Sequence, residues 1–211
     1  MSDRRLRKKE RLVRERSRQI LEAAAKVFAR KGFHQATMKE IAEEADIAPG
    51  TIYLYFKNKK DLLVNIPRLV TEPLLEEMQE LGEGVFSEDA LKQLVRRHLN
   101  RALEHVEIFK VLFSSLSLMD EKTKEEYLRR TPLYLAGEVE KRLRQGIEMG
   151  LFRPLDPTIA ARAFLGMIFI FFLSQEIMPG RLIAPLDYDQ VVDEVVSIFF
   201  HGILKRQSRE G

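Results

Sequence analysis

The chain has 211 residues, 45% of them hydrophobic, and its net charge of +3 divides into +8 over residues 1–60 (16 Lys/Arg, 8 Asp/Glu) and −5 over the rest (19 against 24). At about 100–200 residues per domain this is one or two domains with ample apolar material for a core. The absence of cysteine excludes a disulfide framework, a thiolate zinc site and a Cys nucleophile, and fits a reducing cytoplasm.

Residues 4–18 are dense in cations: Arg4, Arg5, Arg7, Lys8, Lys9, Arg11, Arg14, Arg16 and Arg18 face only Glu10 and Glu15. They form either a solvated tail or a basic arm for phosphates or a minor groove. No signal-peptide apolar stretch accompanies them. Ile20, Leu21, Ala24, Val27 and Phe28 recur at helical spacing, and Gly32 suits the helix end. Thr37-Met38-Lys39-Glu40 is a capping box opening a second helix, whose inner face is Ile41, Ala42 and Ala45. Asp46 falls at the tightest point of the turn and Ile47 plugs the core. Ala48 lacks a capping oxygen, and Pro49 begins a third short helix ending near Phe56.

Asn58 caps a fourth helix carrying Leu62, Leu63, Ile66, Leu69, Val70, Leu74, Leu75 and Met78. Pro67 and Pro73 interrupt it, and one kinked helix is preferred over two. Gly82-Glu83-Gly84 ends it. Ser87 caps a helix to about His105. Others follow near 107–118, 121–149 with Pro132 inside, 157–178 and 187–206. Gly150, Pro154, Pro179, Gly180 and Pro185 punctuate the last three. No run alternates like a strand, so the class is all-α with about nine helices.

Thr37–Leu63, TMKEIAEEADIAPGTIYLYFKNKKDLL, reads as a helix-turn-helix whose second helix is meant for the major groove. With ILEAAAKVFARKGFHQATM before it, the segment resembles the DNA-binding domain of TetR-family transcriptional regulators. MGLFRPLDPTIAARAFLGMI is similar, more loosely, to the loop and penultimate helix of that family's C-terminal domain. The resemblance implies a homodimeric repressor on a palindromic double-stranded DNA operator, released when a small molecule binds a larger helical domain. It places Thr37, Lys39, Pro49, Gly50, Thr51, Tyr53, Tyr55 and Lys59 at DNA-contacting positions. Lys57 and Lys60 add charge beside the groove. The sequence departs from the family at Asp46, usually Gly, and at Ala48, often Ser.

Tyr and Thr hydroxyls donate to phosphates, and a Thr methyl can meet a thymine methyl. Phe56 and Ile52 read as core, with one of the two tyrosines packing partly against helix one. Without Arg, Asn or Gln in the recognition helix, sequence choice falls to apolar contacts and DNA shape.

The expected domains are 1–62, a three-helix DNA-binding domain with its basic arm, and 63–211, for effector binding and dimerisation. Leu91, Leu94, Val95, His98, Ala102, His105 and Val106 share one stripe, with Arg101 at its edge. The two histidines are either polar handles in an apolar pocket or satisfied core residues. The stripe's spacing continues to Phe109, and Phe113, Tyr127, Tyr134, Phe164, Met167, Ile168 and Phe171 line the same cavity or simply fill the core. Abundant Phe and Met, with few interior acids, favour an apolar or amphiphilic effector such as a fatty acyl group, a drug or an aromatic.

Helices 157–178 and 187–206 are apolar over wide faces and predict a four-helix dimer seam. The seam residues would be Phe169, Phe172, Val192, Val195, Val196, Phe199, Phe200 and Ile203. The apolar run Ala163–Leu173 is too short to span a bilayer. The fourth helix is expected to be the only connection between domains, with Pro67 near its pivot. The four histidines are scattered, with no HExxH and no Gly-rich phosphate loop, so no catalytic residue, metal or cofactor is assigned. The rival reading is a DNA-binding dimer whose C-terminal domain serves only dimerisation or a protein partner.

Overall fold

The computed structural model describes residues 2–82, 87–116, 119–178 and 185–204, with the backbone alone for 2–4, 6 and 7. Gly84, Pro179 and Gly180 lie outside them. The described residues form α1 (Ser2–Gln35), α2 (Met38–Glu44), a 3-10 turn (Thr51–Leu54), α3 (Lys59–Asn65), α4 (Arg68–Glu80) and α5 (Glu88–Glu104). Then come α6 (Val106–Leu116), α7 (Glu121–Arg130), α8 (Pro132–Glu148), α9 (Pro157–Phe172) and α10 (Tyr188–Ile203). A π-helical turn, Leu173–Ile177, extends α9. The all-α class holds; the one extended pairing among the described residues is an isolated bridge between Phe152 and Leu204.

Two prolines divide helices that the pattern reads as continuous. Residues 66–67 form a turn, so α3 and α4 are separate rather than one kinked helix. Pro67 has no N–H for the Leu63 carbonyl, and its ring crowds that turn. Pro132 stands at the first turn of α8 behind a non-helical Thr131 (φ −124, ψ −73). There its missing donor costs nothing. Pro73, by contrast, sits inside α4.

The chain folds as two compact units, Met1–Leu69 with Glu107–Arg130, and Val70–Val106 with Thr131–Gly211. The first unit therefore runs past the division expected after residue 62 and takes in α6 and α7. The reason is apolar: Ile108, Leu112 and Met119 join the core of Ile20, Leu21, Val27, Phe28, Ile41, Ile52, Phe56, Leu62 and Leu63. The chain passes between units at 69/70, 106/107 and 130/131, so α4 is not the only connection. Polar ties hold α7 on α3 within this unit. Lys60 donates to Asp120 at 2.5 Å, and Arg130 Nη1 to Asn65 Oδ1 at 3.0 Å and Asp61 Oδ1 at 3.3 Å. The Lys60 ammonium, with two bonds from Thr123, holds the Asp120 carboxyl well below its usual range.

α1 is helical from Ser2, so the basic run is an extension of α1 and not a loose tail. Gly32 (φ 75, ψ 160) breaks its helical path; that conformation is essentially restricted to glycine.

In the second unit α8 packs on α9, and α10 on α5 and α9. Leu74, Met78, Leu94 and Leu135 form one core cluster. Phe164 stacks on Phe199 with centroids 4.6 Å apart. Arg96 clamps α5 to α10 through Asp189 (2.9 Å) and Asp193 (2.6 Å). A Cβ on Gly146 would lie 2.3 Å from the Phe152 ring, so only glycine admits that packing.

Candidate nucleic-acid interface and effector site

The helix-turn-helix is built by local chemistry. The Thr37 hydroxyl accepts from the Glu40 N–H (3.2 Å), and the Thr37 N–H donates to Glu40 Oε2 (3.0 Å), completing the capping box. Lys31 also donates to Glu40. Its hydrogen bond, followed by those from Thr37, lowers the Glu40 pKa to about 2. At the other end of α2, Asp46 N–H donates to Glu43 O (3.1 Å) and Ile47 N–H to Ala42 O (3.0 Å). This is a Schellman closure, and it places Asp46 in the left-handed region at φ 49.

The recognition element is shorter than a full helix. Thr51 N–H donates to Ala48 O (2.8 Å), and Tyr55 and Phe56 N–H both donate to Ile52 O. Ile52 and Phe56 are buried, and Tyr55 packs against the same core. Tyr53 is 57% exposed and Leu54 81% exposed. Pro49, Gly50 and Lys57 are exposed and Thr51 half-buried, so these residues, with Tyr53 and Leu54, open to solvent while Ile52 turns inward. Sequence reasoning missed Leu54, because a leucine between tyrosines reads as core.

Lys59 is already engaged inside the fold. Its ammonium donates to Phe33 O and His34 O, each at 2.9 Å, and lies 5.1 Å from the Phe33 ring centroid. Lys39 is exposed and pairs loosely with Glu43 at 3.8 Å. The Thr37 hydroxyl donates to Glu40 Oε2 at 3.0 Å.

Of the expected effector-site residues, Phe109 and Phe113 belong to the first unit. His98, Arg101, His105, Tyr134, Phe164, Met167, Ile168 and Phe171 belong to the second. Tyr134 is exposed, Phe164 and Ile168 are buried core, and Met167 and Phe171 are half-buried. His105 caps the end of α5, its N–H donating to Ala102 O at 3.2 Å.

His98 and Arg101 sit one turn apart on α5 and meet Glu77 of α4. Glu77 takes Arg97 Nε at 2.7 Å and Arg101 Nη2. Burial opposes the Glu77 charge, but those guanidinium bonds prevail and lower its pKa. The His98 ring is buried although the residue as a whole is half-buried. Burial first, then the Arg101 charge, lowers its pKa to about 4, against a backbone bond to Val70 and the pull of Glu77. Arg101 Nη1 and His98 Nδ1 are buried with no partner among the described residues. Burying such groups unpaired costs about 1–3 kcal/mol each, so they mark a place suited to an incoming polar group. Glu77 lay beyond the sequence reading because nothing local ties it to a stripe 20 residues on.

The expected dimer residues divide. Val192, Val195, Val196, Phe199, Ile203 and Phe172 are buried within the single chain, and Phe200 is half-buried. The wide apolar face of α10 is consumed by α5 and α9 of the same chain. What remains outward on α9 is Ile159 (67% exposed), Ala163, Gly166, Phe169 and Ile170, and on α10 Ile198 (64% exposed). By length and composition the 21-residue segment Pro157–Ile177 as a whole is apolar enough to cross a membrane. Here it packs on α8 and α10.

Comparison with known proteins bears on both sites. The family described as bacterial regulatory proteins, tetR family, matches residues 20–66, and the tetracyclin repressor-like C-terminal domain matches residues 86–170. The fatty acid metabolism regulator protein of Bacillus subtilis (strain 168) is 37% identical over 83 residues, which is 39% of this chain and 43% of that protein. The chain thus spans less than half of that relative. The uncharacterized HTH-type transcriptional regulator YhgD of the same organism is 27% identical over 162 residues, covering 74% of this chain and 83% of that one. Among solved structures, the Bacillus subtilis transcriptional regulator FadR in complex with stearoyl-CoA aligns at TM-score 0.68 and 26% identity, covering 88% of this chain and 98% of that chain.

Proposed function

From the premise that the chain belongs to the tetR family of bacterial regulatory proteins, we propose a homodimeric repressor whose hold on a palindromic operator is released by a long-chain acyl amphiphile. DNA binding by the helix-turn-helix is the family's activity. Thr51, Tyr53, Leu54 and Lys57, with Pro49 and Gly50 beneath them, face the groove and its phosphates. Tyr53 is the positioning contact, its hydroxyl donating to a phosphate. Leu54 meets a thymine methyl or sugar, and Thr37 and Lys39 reach the backbone from the start of α2.

The effector reading rests on one observation, the buried unpartnered atoms of Arg101 and His98 beside Glu77. Arg101 Nη1 would donate to an oxygen of the ligand head, and Met167 and Phe171, half-buried on α9, are the candidates for contact with the acyl chain. The stearoyl-CoA bound by the Bacillus subtilis relative is an amphiphile of this kind. The effector must bind the released state more tightly than the DNA-bound state. Coupling would run through the chain crossings at 69/70, 106/107 and 130/131 and the ties that anchor α7 on α3. The outward stripe Ile159, Ala163, Gly166 and Ile170 with Ile198 would form the dimer seam. The protein acts in the cytoplasm and performs no chemistry on its effector.

The test is a gel shift on DNA from upstream of the protein's own gene, titrated with stearoyl-CoA and, separately, coenzyme A. Release by stearoyl-CoA alone is the expected result. DNA binding indifferent to every acyl chain length would sink the effector reading and favour a C-terminal unit that only dimerises.

A further inference from the structure

The N-terminal extension of α1 is larger than a helix-turn-helix requires. Helix begins at Ser2, yet among the described side chains the first buried one is Ile20. The stretch from Ser2 to Gln19 reaches about 27 Å at 1.5 Å per residue. Arg5, Lys8, Lys9, Arg11, Arg14, Arg16 and Arg18 are all exposed on it, against Glu10 and Glu15. Lys8, Arg11, Arg14 and Arg18 follow one another by three, three and four residues and so share one face. Like charges at those spacings repel one another and weaken an isolated helix. A polyanion lying along the stripe reverses the sign of that contribution. The acids present compete poorly: Arg11–Glu15 (3.3 Å) and Arg18–Glu22 (2.9 Å) are exposed pairs that hold little energy.

The place where this arm leaves the fold is fixed. Gln19 Nε2 donates to the Ala45 carbonyl at 2.6 Å. Ala45 closes α2 and leads through Asp46 into Pro49–Tyr53. The basic stripe therefore starts beside the turn that carries the recognition residues. A rigid helix of this length is unlike the extended chain that threads a minor groove.

We propose that this arm lies along the phosphate backbone of the duplex flanking the operator, lengthening the footprint by about 8 base pairs at 3.4 Å each on either side. This rests on the DNA-binding reading above and adds a second, sequence-independent contact to it.

The full chain and the variant Lys8→Gln/Arg11→Gln/Arg14→Gln are titrated by fluorescence anisotropy on operator duplexes with no flanks and with 10-base-pair flanks. The wild type gains at least tenfold in affinity from the flanks and the variant gains none. The salt slope of the variant falls by about 2–3 per bound chain, at roughly 0.9 per phosphate. Flank-independent binding by the wild type overturns the proposal without needing the variant, as does an unchanged salt slope in a variant that melts like the wild type. Flank-independent binding together with arm-dependent capture by phosphatidylglycerol vesicles overturns it in favour of a membrane partner. Failure of the wild type to bind any duplex removes the DNA-binding reading, and this proposal with it.

Discussion

Lys59 separates a fold contact from a DNA contact. Its ammonium donates to two loop carbonyls, Phe33 O and His34 O, at 2.9 Å each and faces the Phe33 ring at 5.1 Å. Replacing it with methionine keeps most of the stem and removes only the charge and its bonds. Charge-assisted bonds are worth about 1.5–3 kcal/mol when buried, and a cation–π contact about 0.5–1. This site is half-exposed, so the sum is taken low, at about 2–3 kcal/mol. For a chain of this size that lowers Tm by about 5–10 °C. The companion assay is the salt dependence of DNA binding well below the melting range. An ammonium committed to the fold leaves that slope unchanged in Lys59→Met. A phosphate contact would instead cut the slope by about 0.9 per chain with Tm untouched. That second pattern would refute the reasoning.

Three further outcomes follow from the same geometry. Asp46 occupies a left-handed position at φ 49 beside a helix C-terminus, so Asp46→Gly should gain about 1 kcal/mol and raise Tm; Asp46→Asn should fall between, and a lower Tm in both would count against the Schellman closure. Tyr53→Ala should weaken operator binding at least tenfold with Tm unchanged, whereas Tyr55→Ala should lower Tm because Tyr55 packs on the core; an exchange of those phenotypes would reverse the assignment. His98 has its pKa lowered from 6.5 to about 4, so the unfolded chain takes up its proton first. Its contribution is complete above pH 6.5 and is lost as pH falls toward 4, amounting to about 3 kcal/mol. Carboxylates such as Glu40, lowered from 4.5 to about 2, begin to lose theirs only near pH 4.5 and lose most of it below 4. In denaturant titrations the stability of wild type minus that of His98→Gln should fall by about 3 kcal/mol between pH 7 and 4, and parallel curves over that range would show that the ring is not buried neutral.

What the sequence disclosed is what local chemistry determines. Thr37 and Glu40 three residues apart write their own capping box, and Asp46 stands where a left-handed residue is needed. The division between Tyr53 and Tyr55 was legible only as one of two, because both alternate with apolar neighbours and the 3-10 geometry decides which turns inward. Lys59 looked like a phosphate ligand because its partners, Phe33 and His34, lie about 25 residues away through a loop. Val192, Val195 and Val196 looked like a seam because apolar width does not say whether the cover comes from the same chain or a second copy. α5 and α9 supply it here, and the outward groups, Ile159 and Ile198, have the same composition. Pro67 and Pro132 signalled interruptions, but whether a proline kinks, ends or starts a helix depends on what the neighbouring turn packs against. The joining of α6 and α7 to the first unit depends on Ile108, Leu112 and Met119 entering the core that holds Leu62 and Leu63, which no periodicity reveals.

The central claim is tested most directly by hydroxyl-radical footprinting of the wild-type chain on DNA upstream of its own gene. The account predicts a two-fold symmetric protected segment, with half-sites a whole number of helical turns apart and protection that fades as salt rises. Uniform protection without symmetry, or none even at low salt, would contradict it.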